Sequence, residues 1–201
     1  LVFAACLYSL SLKAQPQLET VMNQQHMRKV TVLTWNVWFE HLEFANRVAS
    51  ILETTRQLNP DIVCFQEVLP EFVRAVQQQP WAKEFSTHSD REGSTVRPYG
   101  VLTLCKFPNA KVDFHAFPSN MGRRLLAVEV HEEGQVPFII GNVHLESLNH
   151  PRTRQQQLQI CSDVLAPFQG NAVLVRPPAL PAPPWWCLFM VASAGWGLQL
   201  L

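Results

Sequence analysis

The chain has 201 residues, 47% of them hydrophobic, with 16 Lys+Arg against 16 Asp+Glu. That length suits one domain with a real core, and zero net charge excludes a general electrostatic drive towards nucleic acid, so any phosphate-binding surface must be local. The cysteines Cys6, Cys64, Cys105, Cys161 and Cys187 are scattered without Cys-x-x-Cys or Cys/His zinc spacing, which points to a reducing compartment. Cys64 and Cys105 lie in strand-like runs and read as small buried hydrophobes. In chain order, the apolar run Leu1 to Leu12 resembles a signal-peptide core without the preceding basic segment. It is too short to span a bilayer. Pro16 to Arg28 is polar and reads as a linker or surface helix. Val30 to Trp35 is a strand ending in Asn36. Leu42 to Leu58 follows helical spacing, with Leu42, Ala45, Val48, Ala49, Leu52 and Thr55 near one face. Asn59-Pro60-Asp61 stops that helix.

Ile62 to Phe65 is the second strand, ending in Gln66-Glu67, and Pro70 opens a helix through about Gln78. This strand–helix–strand unit predicts two neighbouring strands with the helix on one face. Phe85 to Arg97 is a polar, mobile loop, and Val101 to Cys105 is a further strand. Lys111 to Phe117 alternates moderately. Leu125–Val130 and Phe138–Val143 flank the turn Glu132-Glu133-Gly134 and predict a hairpin. Arg152 to Leu165 is a Gln-rich helix with Leu158, Cys161, Val164 and Leu165 as its apolar face. Asn171 to Val175 starts another buried strand. The composition then breaks. Arg176 to Trp186 is crowded with proline, which lacks the donor a central strand needs. Residues 1–28 are thus an N-terminal extension, 29–175 a partial domain, and 176–201 an aberrant or unstructured Pro/Trp-rich tail outside it.

Three apolar strands therefore end in polar residues, which is how α/β and α+β enzymes present chemistry at a sheet edge. Glu67 suits a hard divalent cation such as Mg²⁺, which takes one or two carboxylates plus waters and phosphate. Equally, it reads as an acid before the Pro70 helix. Asn36 offers an amide to a phosphate oxygen or a water, or simply ends its strand. His144 is a phosphate donor or general acid, or a satisfied strand-end histidine. Glu146 either orients His144 or caps the following turn.

Together, Thr34-Trp35-Asn36, Phe65-Gln66-Glu67 and His144-Leu145-Glu146-Ser147 resemble the endonuclease/exonuclease/phosphatase superfamily of metal-dependent phosphodiesterases. Within it they are most similar to the 5′-tyrosyl-DNA phosphodiesterase subgroup, whose LTWN, LQEV and HLES patterns stand here as Leu33–Asn36, Phe65–Val68 and His144–Ser147. Met121 to Leu126 resembles the family's Arg-containing strand entry, and Tyr99 sits where the family places a substrate-side tyrosine. The resemblance implies an α+β fold, a four-layered α/β/β/α sandwich incomplete at its C-terminus. It implies Mg²⁺, or Mn²⁺ in its place, on Glu67. Asn36 and His144 are implied as catalytic groups on the scissile phosphate. Val37, Trp38, Tyr99, Arg123, Leu145, Glu146 and Ser147 are implied, with Asn36 and His144, as substrate contacts. The implied partner is a DNA 5′ end carrying a phosphotyrosyl adduct, in DNA repair, with no obligate protein partner and no transmembrane segment. The implied location is the nucleus, shared with the cytoplasm. The apolar N-terminus keeps secretion as the alternative.

One departure follows from the same resemblance. The family continues with a strand ending Gly-Asp-x-Asn, whose Asp activates water, and later with Ser-Asp-His. Here Arg176-Pro177 stands where Gly-Asp should follow, and neither motif occurs. Such a switch has the look of an intron read as protein, a frameshift or a splice variant. Loss of one such group commonly costs about 10²–10⁴ in rate, so the expectation is an inactive or very slow, marginally folded chain. Alternatives are a sphingomyelinase-, inositol-phosphatase- or deadenylase-like hydrolase, or a non-catalytic truncated isoform.

Overall fold

The computed structural model describes residues 29–168, 171–176, 187–193 and 198–200. Leu1 to Arg28, with the signal-like run, lies outside the described residues. β1 (Lys29–Asn36) and β2 (Ile62–Val68) pair in parallel, linked by α1 (Phe44–Leu58). After α2 (Pro70–Gln77) and a 3-10 turn (Pro80–Glu84), β3 (Thr87–His88) and β4 (Gly100–Cys105) extend this sheet, with β4 antiparallel to β2 and β3 antiparallel to β4. β5 (Lys111–Ala116), β6 (Arg124–Val130) and β7 (Phe138–Val143) form an antiparallel meander. α3 (Pro151–Leu165) then crosses to β8 (Ala172–Val175), parallel to β7. The expected β1–β2 pair and the β6–β7 hairpin both stand.

Alternation along the strands decides the layers. Val30, Val32, Ile62, Cys64, Leu126, Val128 and Ile140 face inward and fill the space between the two sheets. The opposite faces of β1, β2 and β4 carry Leu33, Val63, Phe65, Leu102 and Leu104 onto α1 and α2. Leu125, Ala127, Ile139 and Val143 turn outward onto Cys161 of α3. The result is the four-layered α/β/β/α sandwich expected. Cys64, Cys105 and Cys161 are free thiols, and burial pushes the first two up to about 12 and the third to about 11. They serve as core volume, not as nucleophiles.

Four expectations are corrected. Leu42 lies outside α1 and is exposed, as are Ala45 and Ala49, while Ile51 is buried with Val48, Leu52 and Thr55. The packed stripe is the i, i+3, i+4, i+7 set Val48, Ile51, Leu52 and Thr55, which leaves Ala45 and Ala49 on its solvent side. On α3, Leu158 faces solvent and Gln157 is fully buried, since two polar groups below it need its amide. Phe85 to Arg97 is not a free loop. The Asp90 carboxylate accepts from the N–H groups of Glu92, Gly93 and Thr95 and from the Thr95 hydroxyl, at 2.6–2.9 Å. Finally, the tail does contribute strands. β9 (Cys187–Ser193) pairs antiparallel with the outer edge of β1, and β10 (Leu198–Leu200) pairs with β9. Cys187 to Ser193 carries no proline and no charge, so every N–H is free for the ladder, and an open strand edge is a template for such pairing. The first sheet therefore runs β10-β9-β1-β2-β4-β3 and the second β5-β6-β7-β8.

One buried polar bridge ties the sheets together beneath the site. The Gln66 amide donates to Asn142 Oδ1 at 2.9 Å and to Thr34 Oγ1 at 2.8 Å. Asn142 Nδ2 in turn reaches Phe65 O, Leu102 O and Thr103 Oγ1 at 3.1–3.2 Å. Both side chains are fully buried, so each bond replaces water that cannot enter. Asn142→Leu is expected to lower stability by about 2–5 kcal/mol, because it strands several donors and acceptors at once. Urea unfolding of this variant beside Ile140→Val, expected to cost about 1 kcal/mol, checks it.

Candidate functional site

Asn36 and Glu67 leave the same end of the first sheet because β1 and β2 are parallel, with Asn36 opposite Gln66. The ladder between β2 and β4 slips between Gln66 and Val68, and Glu67 takes a left-handed backbone (φ 55°). A bulge of this kind bends a strand and re-aims one side chain. Strain of about 1–3 kcal/mol in a non-glycine residue is characteristic of functional positions. His144 follows the end of β7 in the other sheet. The Gln66–Asn142 bridge sits one residue before Glu67 and two before His144, so it fixes the gap between their strands.

The three side chains meet. Glu67 Oε1 lies 2.9 Å from His144 Nε2 and 3.2 Å from Asn36 Nδ2. His144 Nδ1 faces Leu145 O at 3.1 Å, so both ring nitrogens address oxygen acceptors. Burial acts to raise the Glu67 pKa, but His144, Asn36 and the Phe39 N–H outweigh it and hold the carboxyl below its ordinary value. The carboxylate is therefore ionised at neutral pH in a nearly buried position.

Beside this group stands an aromatic and cationic wall. Phe39 stacks on Tyr99 with ring centroids 4.5 Å apart and planes 14° from parallel. The Arg123 guanidinium lies 5.0 Å from the centre of the Tyr99 ring. Arg123 is 9% exposed, its Nε has no hydrogen-bond partner, and its Nη2 reaches Ser147 Oγ at 3.4 Å. Burial lowers its pKa, partly offset by Tyr99, Glu67 and Glu146. A small concavity lined by Tyr99, Gly122, Arg123, Arg124 and His144 joins the wall to the strand ends.

Residues 33–187 match the Endonuclease/Exonuclease/phosphatase family. The chain belongs to that family. It is 24% identical over 164 residues to tyrosyl-DNA phosphodiesterase 2 of Danio rerio, a match covering 78% of this chain and 42% of that protein. It is 26% identical over 159 residues to the 5′-tyrosyl-DNA phosphodiesterase of Caenorhabditis briggsae, covering 76% and 44%. The chain spans less than half the length of these curated relatives. Among solved structures, Danio rerio tyrosyl-DNA phosphodiesterase 2 complexed with single strand DNA product superposes with a TM-score of 0.60 at 22% identity, over 74% of this chain and 59% of that one. The endonuclease/exonuclease/phosphatase of Bacteroides vulgatus gives 0.55 at 16% identity, over 74% and 65%. These likenesses establish the family's fold for this chain.

Within this family fold, the positions predicted from sequence fall into two groups. Asn36, Glu67, His144, Tyr99, Arg123 and Ser147 come together as described. Val37, Leu145 and Glu146 do not present side chains to that space. Val37 is fully buried against α1, its N–H donating to Gln66 O at 2.8 Å and its carbonyl accepting from Arg47 at 3.0 Å. Leu145 faces the α3 side. Glu146 is 1% exposed and bonds inward to Ser119 and Asn120, away from His144. Val37 lies in the turn that follows Asn36, and beyond the end of β7 at Val143 the chain no longer holds strand geometry, so Glu146 follows its hydrogen bonds to Ser119 and Asn120 and not the side that His144 takes. Trp38 occupies the turn itself: its N–H donates to Asn36 Oδ1 at 2.9 Å, and its ring lies 5.0 Å from the Arg47 guanidinium.

Sequence reading misses Phe39, Arg47 and Asn142. Arg47 gathers the carbonyls of Val37, Trp38, Glu40 and Leu42 and so shapes the loop that carries Phe39. A lone arginine facing four carbonyls leaves no periodic trace in sequence.

Among the described residues no three His, Cys, Asp or Glu side chains cluster as a metal site. The set present nevertheless fits a hard divalent cation. It offers one ionised, buried carboxylate with an amide beside it, held by hydrogen bonds from His144 and Asn36 and not by a lysine or arginine. Mg²⁺ commonly takes one or two protein carboxylates, completing its shell with waters and substrate phosphate.

Proposed function

We propose that this site binds a phosphodiester between an aromatic leaving group and a DNA 5′ end, and that the family chemistry here is Mg²⁺-dependent hydrolysis in DNA repair. The supporting observation is the meeting of Asn36, Glu67 and His144 within hydrogen-bond distance, next to the Phe39–Tyr99–Arg123 wall. Glu67 would hold the metal, Mg²⁺ or Mn²⁺ in its place. Bound there, the ion supplies Lewis-acid stabilisation of charge on phosphate oxygens. His144 and Asn36 are placed to donate to those oxygens and orient the phosphorus for in-line displacement. Arg123 and Tyr99 offer a cation and a π-face to an aryl group. A tyrosyl phenoxide, with a pKa near 10, leaves with little acid assistance. Ser147, on Arg123, lines the same side. A DNA substrate carries a nuclear location with it, shared with the cytoplasm. No helix among the described residues is long and apolar enough to cross a membrane.

The proposal also covers what this chain lacks. β8 runs parallel to β7, with Val175 opposite Asn142, so β8 and β7 end at the same edge of the sheet, and the residues next in sequence follow from there. In the family pattern they are Gly-Asp-x-Asn. In this sequence they are Arg176-Pro177, and neither offers a carboxylate to take a proton from water. This chain therefore binds its substrate but turns it over slowly. The test is anisotropy titration of a 5′-phosphotyrosyl oligonucleotide with and without Mg²⁺, against sphingomyelin vesicles, inositol phosphates and oligoadenylate as competitors. Mg²⁺-dependent binding that only 5′-blocked DNA displaces supports the reading. Preferential displacement by the lipid, the inositol phosphate or the oligoadenylate moves the chain to that branch of the family.

A further inference from the structure

Glu146 lies two residues beyond His144, yet it is buried and turned away from the phosphate site. Its carboxylate accepts from the Ser119 hydroxyl at 2.6 Å and the Asn120 N–H at 3.0 Å. Because an ionised carboxylate only accepts, it commits the Ser119 proton. The Ser119 oxygen is then left to accept, and it takes the N–H groups of Met121 and Arg123, both at 3.0 Å. Gln157 of α3 braces the arrangement from below. Its Oε1 accepts the Glu146 N–H at 2.7 Å, and its Nε2 donates to Pro118 O at 2.9 Å. The loop 118–123 turns through Gly122 (φ 68°) and ends on Arg123, whose guanidinium faces Tyr99.

We propose that Glu146 is a positioning residue for leaving-group recognition: through Ser119 it sets the loop that presents Arg123 to the aryl group of the substrate. The proposal rests on the aromatic-phosphodiester reading of the site. The polarity of the network gives it content beyond general support. Glutamine at position 146 has nearly the same shape but turns an NH₂ towards either Ser119 or the Asn120 N–H. In the first case Ser119 Oγ has a third donor; in the second, two donors face one another. Either way the loop shifts while the core beneath it stays.

The test is binding of two labelled oligonucleotides, one with a 5′-phosphotyrosyl end and one with a 5′-hexyl phosphodiester, to the full chain and its variants. Arg123→Ala is expected to cut the preference for the aromatic end about 3–30-fold, the range of one partly desolvated cation–π contact. Glu146→Gln and Ser119→Ala are each expected to lose most of that same preference, with hexyl binding changed less than about 3-fold. Glu146→Gln added to Arg123→Ala should change it no further, since coupled residues are not additive. A merely structural role would weaken both ligands alike. Should Arg123→Ala lose the preference while folded Glu146→Gln and Ser119→Ala keep it, the positioning role is overturned and the site reading survives. If Arg123→Ala keeps it, the site reading falls and the proposal with it. Where Glu146→Gln does not fold, Ser119→Ala, at a half-buried position, decides between these outcomes by itself.

Discussion

Replacing the residues after Val175 with the family's Gly-Asp-x-Asn and Ser-Asp-His segments is expected to raise hydrolysis of a 5′-phosphotyrosyl oligonucleotide by at least about 10²–10⁴-fold. That is the ordinary worth of a positioned general base or one oxyanion donor, and the replacement supplies both. The expectation depends on geometry already present. β8 is hydrogen-bonded in parallel register to β7, and β7 runs directly into His144. An aspartate delivered by an extension of β8 would therefore emerge at the sheet edge that carries His144, without rebuilding the Asn36–Glu67–His144 group. Substrate affinity should change far less than turnover, because Asn36, Glu67, His144, Tyr99 and Arg123 are the same in both chains. Single-turnover kinetics with and without Mg²⁺ measure this. If the original chain already matches the extended one, water activation in this protein does not use an aspartate at that strand end.

Much of the fold is legible in the sequence because its signals are local. The Leu125–Val130 and Phe138–Val143 runs flank an acidic glycine turn, and they form the predicted hairpin. The strand ends at Asn36, Glu67 and His144 stand out because an apolar run stops abruptly at a polar residue. The illegible parts depend on partners distant in sequence. Asn142 lies inside an apolar strand, and nothing nearby shows that Gln66, 76 residues away, is its partner. Gln157 has the look of the solvent face of a Gln-rich helix, but Pro118 and the Glu146 N–H, both beneath it, draw it inward. Glu146 looks like part of the site because it is two residues from His144, yet the two side chains go to different partners. The tail escapes sequence reading for the opposite reason. Its prolines dominate the composition, and the seven residues of β9 suffice to pair with the open edge of β1.

Glu67→Ala and Glu67→Gly are expected to abolish measurable Mn²⁺ binding and to differ in stability. Each removes the ionised carboxylate at the heart of the site, and a loss of metal affinity of at least about 100-fold follows, since even outer partners of a metal ligand are worth 10–100-fold. The left-handed backbone at position 67 (φ 55°) costs any residue with a Cβ about 1 kcal/mol or more that glycine does not incur. The glycine variant should therefore be the more stable of the two by about 1 kcal/mol in urea unfolding. The pH dependence has a definite sign. The folded pKa of Glu67 is held below its ordinary value of 4.5, so its contribution to stability is fully present above that value and is lost as pH falls through the folded pKa. Mn²⁺ affinity of the parent chain should accordingly keep its Glu67-dependent part from neutral pH down through the ordinary carboxyl range, and lose it only at more acidic pH, as the carboxylate protonates at its lowered folded pKa. Electron paramagnetic resonance titration of Mn²⁺ across that range, on the parent chain and both variants, measures it. An unchanged affinity in Glu67→Ala would place the metal elsewhere, and equal stability of the two variants would mean that the bulge at Gln66–Val68 relaxes once the carboxylate is gone.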